Sequence, residues 1–392
     1  MLVLLTYRSK NTLDYKIIKL YQKKASLQIA GKVSEINNKI IWELTNSQNQ
    51  VVERNIIDQV SIRLKQAENS SIYAQIVQNE HLSIYNFDLI VHKIYHGGDE
   101  YDNISVLSHH TLQKLKNFAY LAPEEQQADL SLAEVFLDYF PNAKHYACYE
   151  TGFHQSIELN SRMLFPDWAY LKHGIKNYGS HGLIFLGLTD KLSSLADKKL
   201  AKGKWIYFYL SEEDTTLCAI KNSKSIYCSS SSLHHEIPSS KYPGKIDPNI
   251  ISFIADHFKI DIADAHSTVC ATNLFQAGNN EFNEIEVLLN SQSPMAKLAR
   301  EYYINSIIET FMHQASLLEG VDGIIFTGKA GYSNPKLRQL ICNKLEWLGI
   351  HLSYKSNLDN NCKLNKKSSN ALIFTLPPDP FSAMLNQLFE RI

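Results

Sequence analysis

An order of elements that occurs twice constrains the fold most. In the first half an apolar run at residues 1–6 leads into alternating segments at 15–21, 25–30 and 39–44. Those segments predict strands that return antiparallel, with a polar turn at 8–14 between the first two. In the second half an apolar run at 204–210 leads into segments at 216–220 and 225–227. The link between those two, Lys221-Asn222-Ser223-Lys224, reads as a hairpin turn. Each meander is then followed by helices and strands in alternation. In the first half these are a helical pattern at 55–79, a strand at 87–91, and helices at 109–120 and 131–140, the last stopped by Pro141. In the second half they are helices at 248–258 and 290–318, a strand at 323–327, a helix at 334–347, a strand at 371–376 and a helix at 381–391. Two meanders, each continued by α/β alternation, predict two α/β units built on mixed sheets. A length of 392 residues suits two domains with sizeable cores.

The charge balance, 39 basic against 40 acidic residues, gives no basic excess for nucleic acid. No segment approaches the apolar length of a membrane span, and the N-terminal run is too short for a signal peptide. Cys148, Cys218, Cys228, Cys270, Cys342 and Cys362 lie far apart with no C-x-x-C, which predicts a reduced cytoplasmic setting rather than a disulfide framework or a zinc site. No Walker A motif and no G-x-G-x-x-G fingerprint is present. The Ser229-Ser230-Ser231-Ser232 run before His234 and His235 lacks a nucleophile elbow.

Chemistry concentrates between Tyr149 and Gly182. The stretch opens Tyr149-Glu150-Thr151-Gly152-Phe153-His154-Gln155 and closes His173-Gly174-Ile175-Lys176-Asn177-Tyr178-Gly179-Ser180-His181-Gly182. An acid leaving a strand and a histidine in a glycine-flanked turn suit a phosphoryl-transfer site, where positioning and electrostatics do most of the work. By spacing alone, turn glycines and a packed histidine are the simpler explanation.

These residues resemble the acetate and propionate kinases, the acetokinases, whose motif runs F-D-T-A-F-H-Q and then Y-G-I-R-R-Y-G-F-H-G-T-S-H. The similarity extends over nearly the whole chain. It implies two ribonuclease-H-like lobes of the actin/sugar-kinase/acetokinase superfamily with a central cleft. Residues 1–149 plus 378–392 would form the N-terminal lobe, with the C-terminal helix returning to it, and 150–377 the nucleotide-side lobe. It also implies phosphoryl transfer between ATP and a short-chain carboxylate, acetate or propionate, with Mg²⁺, in a homodimer.

Carried over position by position, the family's site is only partly kept. Glu150 stands at the acid of F-D-T and His181 at the second histidine, so both are catalytic candidates. Lys93 stands where H-R-V-V-H-G-G has arginine; it keeps the charge and loses the two-pronged donor. Tyr7 replaces the asparagine of N-x-G-S-S-S-L-K, with Arg8 and Lys10 beside it as solvated loop charges or anion ligands. Glu125 replaces the histidine of A-P-L-H-N-P. Tyr209 begins the stretch that replaces H-L-G-N-G-A-S. There Glu212, Glu213 and Asp214 stand in place of phosphate-binding glycines. A carboxylate about 4 Å from a phosphate charge costs on the order of 4 kcal/mol at an effective dielectric near 20.

Tyr242 replaces the arginine of M-G-T-R-S-G-D-I-D-P, between Lys241 and Lys245. Asn283 replaces the arginine of S-S-D-M-R-D. Gly328, Lys329 and Gly331 fall in F-T-G-G-I-G-E-N-S and are the nucleotide-binding candidates with Asn283; Tyr332 adds bulk there. Pro380 replaces the metal-linked glutamate of P-T-N-E-E, leaving Asp379 as the nearest acid for a hard cation. The substitutions imply a kinase that is weak or inactive, or a non-catalytic binding or regulatory protein that pairs with a paralogous kinase. A changed anionic ligand held by Arg8, Lys10, Lys241, Lys245 and Lys329 is a third reading.

Overall fold

A computed structural model describes residues 1–9, 12–22, 24–36, 39–48, 50–57 and 70–392. The chain divides into two compact units. One comprises Met1–Gln155, His181–Gly187 and Asp379–Ile392; the other comprises Ser156–Ser180 and Leu188–Pro378.

The first unit is built on strands β1 (Leu2–Ser9), β2 (Thr12–Tyr21), β3 (Lys24–Ile36), β4 (Lys39–Asn46), β5 (Val51–Ile57), β6 (Leu89–Ile94), β7 (Ser105–Val106) and β8 (Lys144–Tyr149). They form one sheet in the order β5-β4-β3-β2-β1-β6-β8-β7. The second unit holds β9 (Lys204–Leu210), β10 (Thr215–Lys221) and β11 (Lys224–Cys228), a short pair β12 (Ser230–Ser231) and β13 (His234–His235), then β14 (Gly323–Thr327) and β15 (Leu372–Thr375). Its main sheet runs β11-β10-β9-β14-β15. The segment β3-β2-β1-β6-β8 repeats that plan: an antiparallel meander of three strands, then two strands parallel to the first. The doubled order of elements in the sequence is thus a doubled sheet topology.

The β1 side chains alternate between two cores. Leu4 packs with Leu13, Ile17, Ile90 and the helices Ser70–Gln78 and Pro123–Tyr139. Val3 and Leu5 pack with Val91 and with Phe381, Met384 and Leu388 of the helix Pro380–Arg391. In the second unit β9, β10 and β14 bury Ile206, Phe208, Leu217 and Phe326 against Tyr303, Ile307 and Phe311 of the helix Pro294–Leu318. The β10–β11 hairpin turns through Asn222 and Ser223, both left-handed at φ 55° and 61°, as a tight two-residue turn of the primed type requires.

Three expectations need correction. Residues 8–14 are not a free polar turn, because β1 continues to Ser9 and β2 begins at Thr12, paired Ser9 to Thr12. Arg8 and Leu13 are buried there, and burial on the sheet holds them in strands. The helix expected from residue 55 gives way to β5, whose β-branched Val51, Val52 and Ile56 favour a sheet edge on β4. The helix Ser70–Gln78 covers the end of that pattern, and residues 58–69 lie outside the described residues. The long helix starts at Pro294 rather than 290, because Ser293 caps Ala296 N and proline suits the first helical position.

A buried polar chain crosses the first unit. His92 and His145 stack with their rings 5.4 Å apart. The Phe140 carbonyl can only accept, so His145 Nε2 donates to it at 3.1 Å. His145 Nδ1 then accepts from His92 Nε2 at 3.1 Å, and His92 Nδ1 accepts from Thr6 Oγ1 at 3.0 Å. With both rings neutral every member of the chain is satisfied. Burial pushes His92 well below the usual histidine range and pushes His145 down as well.

Candidate functional site

In the first unit the candidate residues gather at the ends of β1, β6 and β8. Glu150 follows β8 and is buried at 2% exposure. Its Oε1 accepts from the Tyr7 hydroxyl at 2.6 Å, and its Oε2 accepts from Leu183 N at 3.2 Å. Leu183 lies in the first turn of the helix Gly182–Leu195, where an unpaired amide and the helix dipole favour a carboxylate. Tyr7 also packs edge-on against Phe381 at 6.1 Å. His181 immediately precedes that helix in a left-handed conformation, φ 57°. Gly182 N donates to the Glu150 carbonyl at 3.1 Å, and a Cβ on Gly182 would lie 2.0 Å from that oxygen. Glu150, Tyr7 and the His181 backbone are therefore drawn together by one glycine contact and one carboxylate.

Lys93 is held elsewhere. Its Nζ donates to Asp129 Oδ2 at 2.8 Å and to the Arg8 carbonyl at 3.0 Å. Arg8 Nε donates to Asp129 Oδ1 at 2.8 Å, and its outer nitrogen donates to the Glu125 carbonyl at 3.2 Å. Two cations thus share one carboxylate, all three side chains at most 5% exposed. Burial pulls Arg8 down, but the Asp129 charge and hydrogen bond more than offset it, leaving Arg8 above its ordinary value. Tyr73, beside this group, is pushed up to about 12, chiefly by burial. Asp129 was not among the sequence candidates. Its signal was an acid in the apolar stripe of the helix Pro123–Tyr139, in register with buried Leu132, Ala133 and Phe136.

Asp379 caps the helix Pro380–Arg391 by accepting from Ser382 N at 3.4 Å, and Lys16 Nζ lies 3.6 Å away. Pro380 fills the first helical position and is buried. Among the described residues no group of three His, Cys, Asp or Glu side chains is placed to hold a metal ion.

In the second unit the turn between β9 and β10 follows Tyr209. Ser211 N and Ser211 Oγ both donate to the Asp214 carbonyl at 2.9 Å, which closes the turn tightly. Glu212 Oε2 accepts from Ile285 N at 2.9 Å, at the start of the helix Ile285–Asn290. Burial raises Glu212, that amide and Lys329 lower it, and Glu284 and Glu286 raise it; the balance is upward. Asp214 Oδ2 accepts from Thr216 Oγ1 at 3.3 Å, and its Oδ1 lies 3.7 Å from His235 Nδ1. Tyr242 stacks flat on His235, with ring centres 3.4 Å apart. Ser239 Oγ donates to the Glu213 carbonyl at 2.8 Å, and Ser240 N donates to the Glu212 carbonyl at 3.1 Å. The segment carrying Tyr242 is therefore docked on the acidic turn.

Gly328 and Gly331 stand at the end of β14. Gly328 is left-handed at φ 76°, and a Cβ there would lie 2.5 Å from the Leu210 carbonyl. Gly328→Ala is expected to destabilise the second unit by about 1–3 kcal/mol, from backbone strain added to the clash. A urea midpoint unchanged from wild type would show that the turn tolerates a side chain. Lys329 and Asn283 are exposed. Arg338, which the sequence reading missed, anchors this turn. It donates to the Gly331 carbonyl at 2.9 Å and the Tyr332 carbonyl at 2.6 Å, to Asn357 Oδ1 at 2.7 Å and to Asn360 Oδ1 at 2.9 Å. Burial among neutral acceptors pulls it down to about 10.

Three of the basic residues offered as a new anion site have partners of their own. Arg8 holds Asp129, Lys245 lies 3.6 Å from Glu236, and Lys241 sits 5.0 Å over the Tyr242 ring. Lys10 lies outside the described residues.

The model of the Acetokinase family matches residues 3–379. The acetate kinase of Rickettsia akari is 28% identical over 295 residues, covering 74% of this chain and 76% of that protein. That of Rickettsia felis is 25% identical over 383 residues, covering 96% and 95%. Among solved structures, the acetate kinase of Entamoeba histolytica superposes with a TM-score of 0.82 at 22% identity, over 100% of this chain and 99% of that one. A propionate kinase of Francisella tularensis also gives 0.82, at 18% identity over 98% of each.

Proposed function

The chain belongs to the acetokinase family, and from that premise we propose that it is a member with little or no carboxylate kinase activity, kept for a binding or regulatory role. One observation carries this reading. Both oxygens of Glu150 already accept internal hydrogen bonds, one from a tyrosine that replaces a small polar residue of the family. Two of its roughly four lone-pair sites are thereby taken, which leaves fewer for a cation or for substrate. Asp379 is a helix cap with a lysine beside it, so the residues present do not fit Mg²⁺. The turn after Tyr209 carries three acids, one of them tied to the Ile285 amide, and carboxylates repel phosphate, so they do not fit ATP either.

A second reading, residual phosphoryl transfer from ATP to acetate or propionate, is favoured by the survival of Glu150 and His181 at the family positions. A coupled assay with Mg²⁺, ATP and each acid separates the two. The expected kcat/KM lies at least about 10³-fold below that of an intact acetate kinase, the usual cost of losing charge-stabilising donors. Activity within about tenfold of the control would overturn the proposal.

The binding role takes the form of a homodimer, or of pairing with a paralogous kinase. The six cysteines form no disulfide and four are buried, which supports a reducing cytoplasmic setting. No described helix is long and apolar enough to cross a membrane.

A further inference from the structure

Two of the buried cysteines in the second unit face each other. Cys218 on β10 and Cys228 on β11 are directly opposed in the antiparallel register. Opposed residues on neighbouring strands stand on the same face of the sheet. Ser229 N donates to the Leu217 carbonyl at 3.0 Å, one residue after Cys228 and one before Cys218. That bond makes Cys218 and Cys228 a non-hydrogen-bonded pair, the closer of the two kinds, with Cα atoms about 4.5 Å apart. Such a spacing falls within the range that a disulfide spans, about 4.4–6.8 Å.

The two thiols also lie within hydrogen-bonding reach of each other. Burial, and then the hydrogen bond with Cys228, push the Cys218 thiol well above its ordinary range. Cys218 Sγ lies 3.4 Å from Ser225 Oγ. Cys228 Sγ lies 3.3 Å from the Ser230 carbonyl and 3.8 Å from the Ser180 carbonyl. Neither cysteine is exposed, so both thiols are inert while β11 stays docked. β11 is an edge strand of its sheet, however, and edge elements open locally at less cost than the core.

We propose that Cys218 and Cys228 are a redox-responsive dithiol, closed to a disulfide by exchange with a low-molecular-weight disulfide and reopened by thiols. When β11 opens, the Cys228 thiolate attacks one sulfur of oxidised glutathione and releases the other half as a thiolate. When β11 docks again, Cys218 gives up its proton, attacks the Cys228 sulfur and releases the second half. The dithiol loses two electrons, one oxidised glutathione becomes two reduced, and the two cysteine protons end on their thiols. In a reducing setting the pair stays open, so closure responds to an oxidative shift. Closure also removes the thiol proton that Cys228 holds toward the Ser180 carbonyl. The Cys228 carbonyl accepts from Asn177 Nδ2 at 2.7 Å, so the bridge bears on the turn that leads to His181.

The test incubates the reduced full chain with about 1 mM each of oxidised and reduced glutathione, with and without urea below the unfolding midpoint. Remaining thiols are alkylated and the chain is cut with trypsin. Lys221 and Lys224 lie between the two cysteines, so a bridge joins two separate peptides, Trp205–Lys221 and Ser225–Lys241. The linked pair is expected in most molecules. It should form faster in urea, disappear on dithiothreitol and be absent from Cys218→Ser. Cys270 and Cys362 are exposed and should carry glutathione singly, which shows that exchange has run. Amide exchange of residues 177–180 is expected to be at least about threefold faster in the bridged form.

Cys218 and Cys228 alkylated singly in most molecules, in urea as in buffer, while Cys270 and Cys362 have exchanged, would overturn the dithiol. A rate of closure indifferent to urea overturns the route through β11 opening. Equal exchange of residues 177–180 in the two forms overturns the link to the turn. The bridge is read in the wild type, so the outcome does not depend on the folding of the serine variant.

Discussion

Asp129→Ala is expected to destabilise the first unit by about 3–5 kcal/mol, the usual cost of leaving a buried charge without its partner. The magnitude follows from the arrangement at the ends of β1 and β6. Arg8 and Lys93 both reach one carboxylate at 2.8 Å, and none of the three side chains is more than 5% exposed. Removing Asp129 strands two cations at once. Chain flexibility and entering water temper the loss, which is why the range does not double. For a unit of this size the midpoint of thermal unfolding should fall by about 10 °C. Asp129→Asn keeps acceptor geometry and loses the charge, so it should fall between alanine and wild type. A melting temperature within about 2 °C of wild type for the alanine variant would mean that Arg8 and Lys93 find solvent, and that the triad holds little of the fold together.

Acidification is the second large effect. His92 and His145 are neutral in the folded unit and pushed down by burial, while unfolded histidines titrate near 6.5. The unfolded chain therefore binds more protons below that value. The stabilising contribution is complete above about pH 6.5 and is lost as pH falls below it, toward the lower folded values, with a slope of up to about 2.7 kcal/mol per pH unit for the pair. His109 adds to the downward push on His145, behind burial, and is itself paired with Asp138 at 3.0 Å. His92→Gln can donate to His145 Nδ1 and accept from Thr6 Oγ1, so it should hold most of the neutral-pH stability and lose about half of the acid slope. Urea midpoints at pH 7.5 and 5 measure both. Equal slopes for variant and wild type would remove His92 as a source of the pH dependence.

The architecture was legible because strand and helix periods are local. The alternation in residues 15–30 and the apolar runs at 204–210 and 323–327 needed no partner to be read, and the doubled order of elements became a doubled sheet order. The family resemblance located Glu150, Lys93, Tyr242 and Gly328, and the comparisons bear out the family and the fold. The engagements of those residues were not legible. Asp129 and Arg338 each sit in an apolar helical stripe, where a single charge reads as an interruption until its partner is known. Glu212 accepts from an amide 73 residues away, and no pattern in either segment marks that bond. Residues 8–14 misled because polarity suggested a turn, whereas Arg8 is buried by a carboxylate on a distant helix.

The helix Pro380–Arg391 packs Met384 and Leu388 beneath β1, yet every residue of the second unit is synthesised before it. On the ribosome the second unit can complete its core while the first still lacks one of its walls. The nascent first sheet must then wait with Val3, Leu5 and Val91 uncovered on that side, a state that invites chaperones and premature strand pairing. Chain order thus makes the first unit the later of the two to mature.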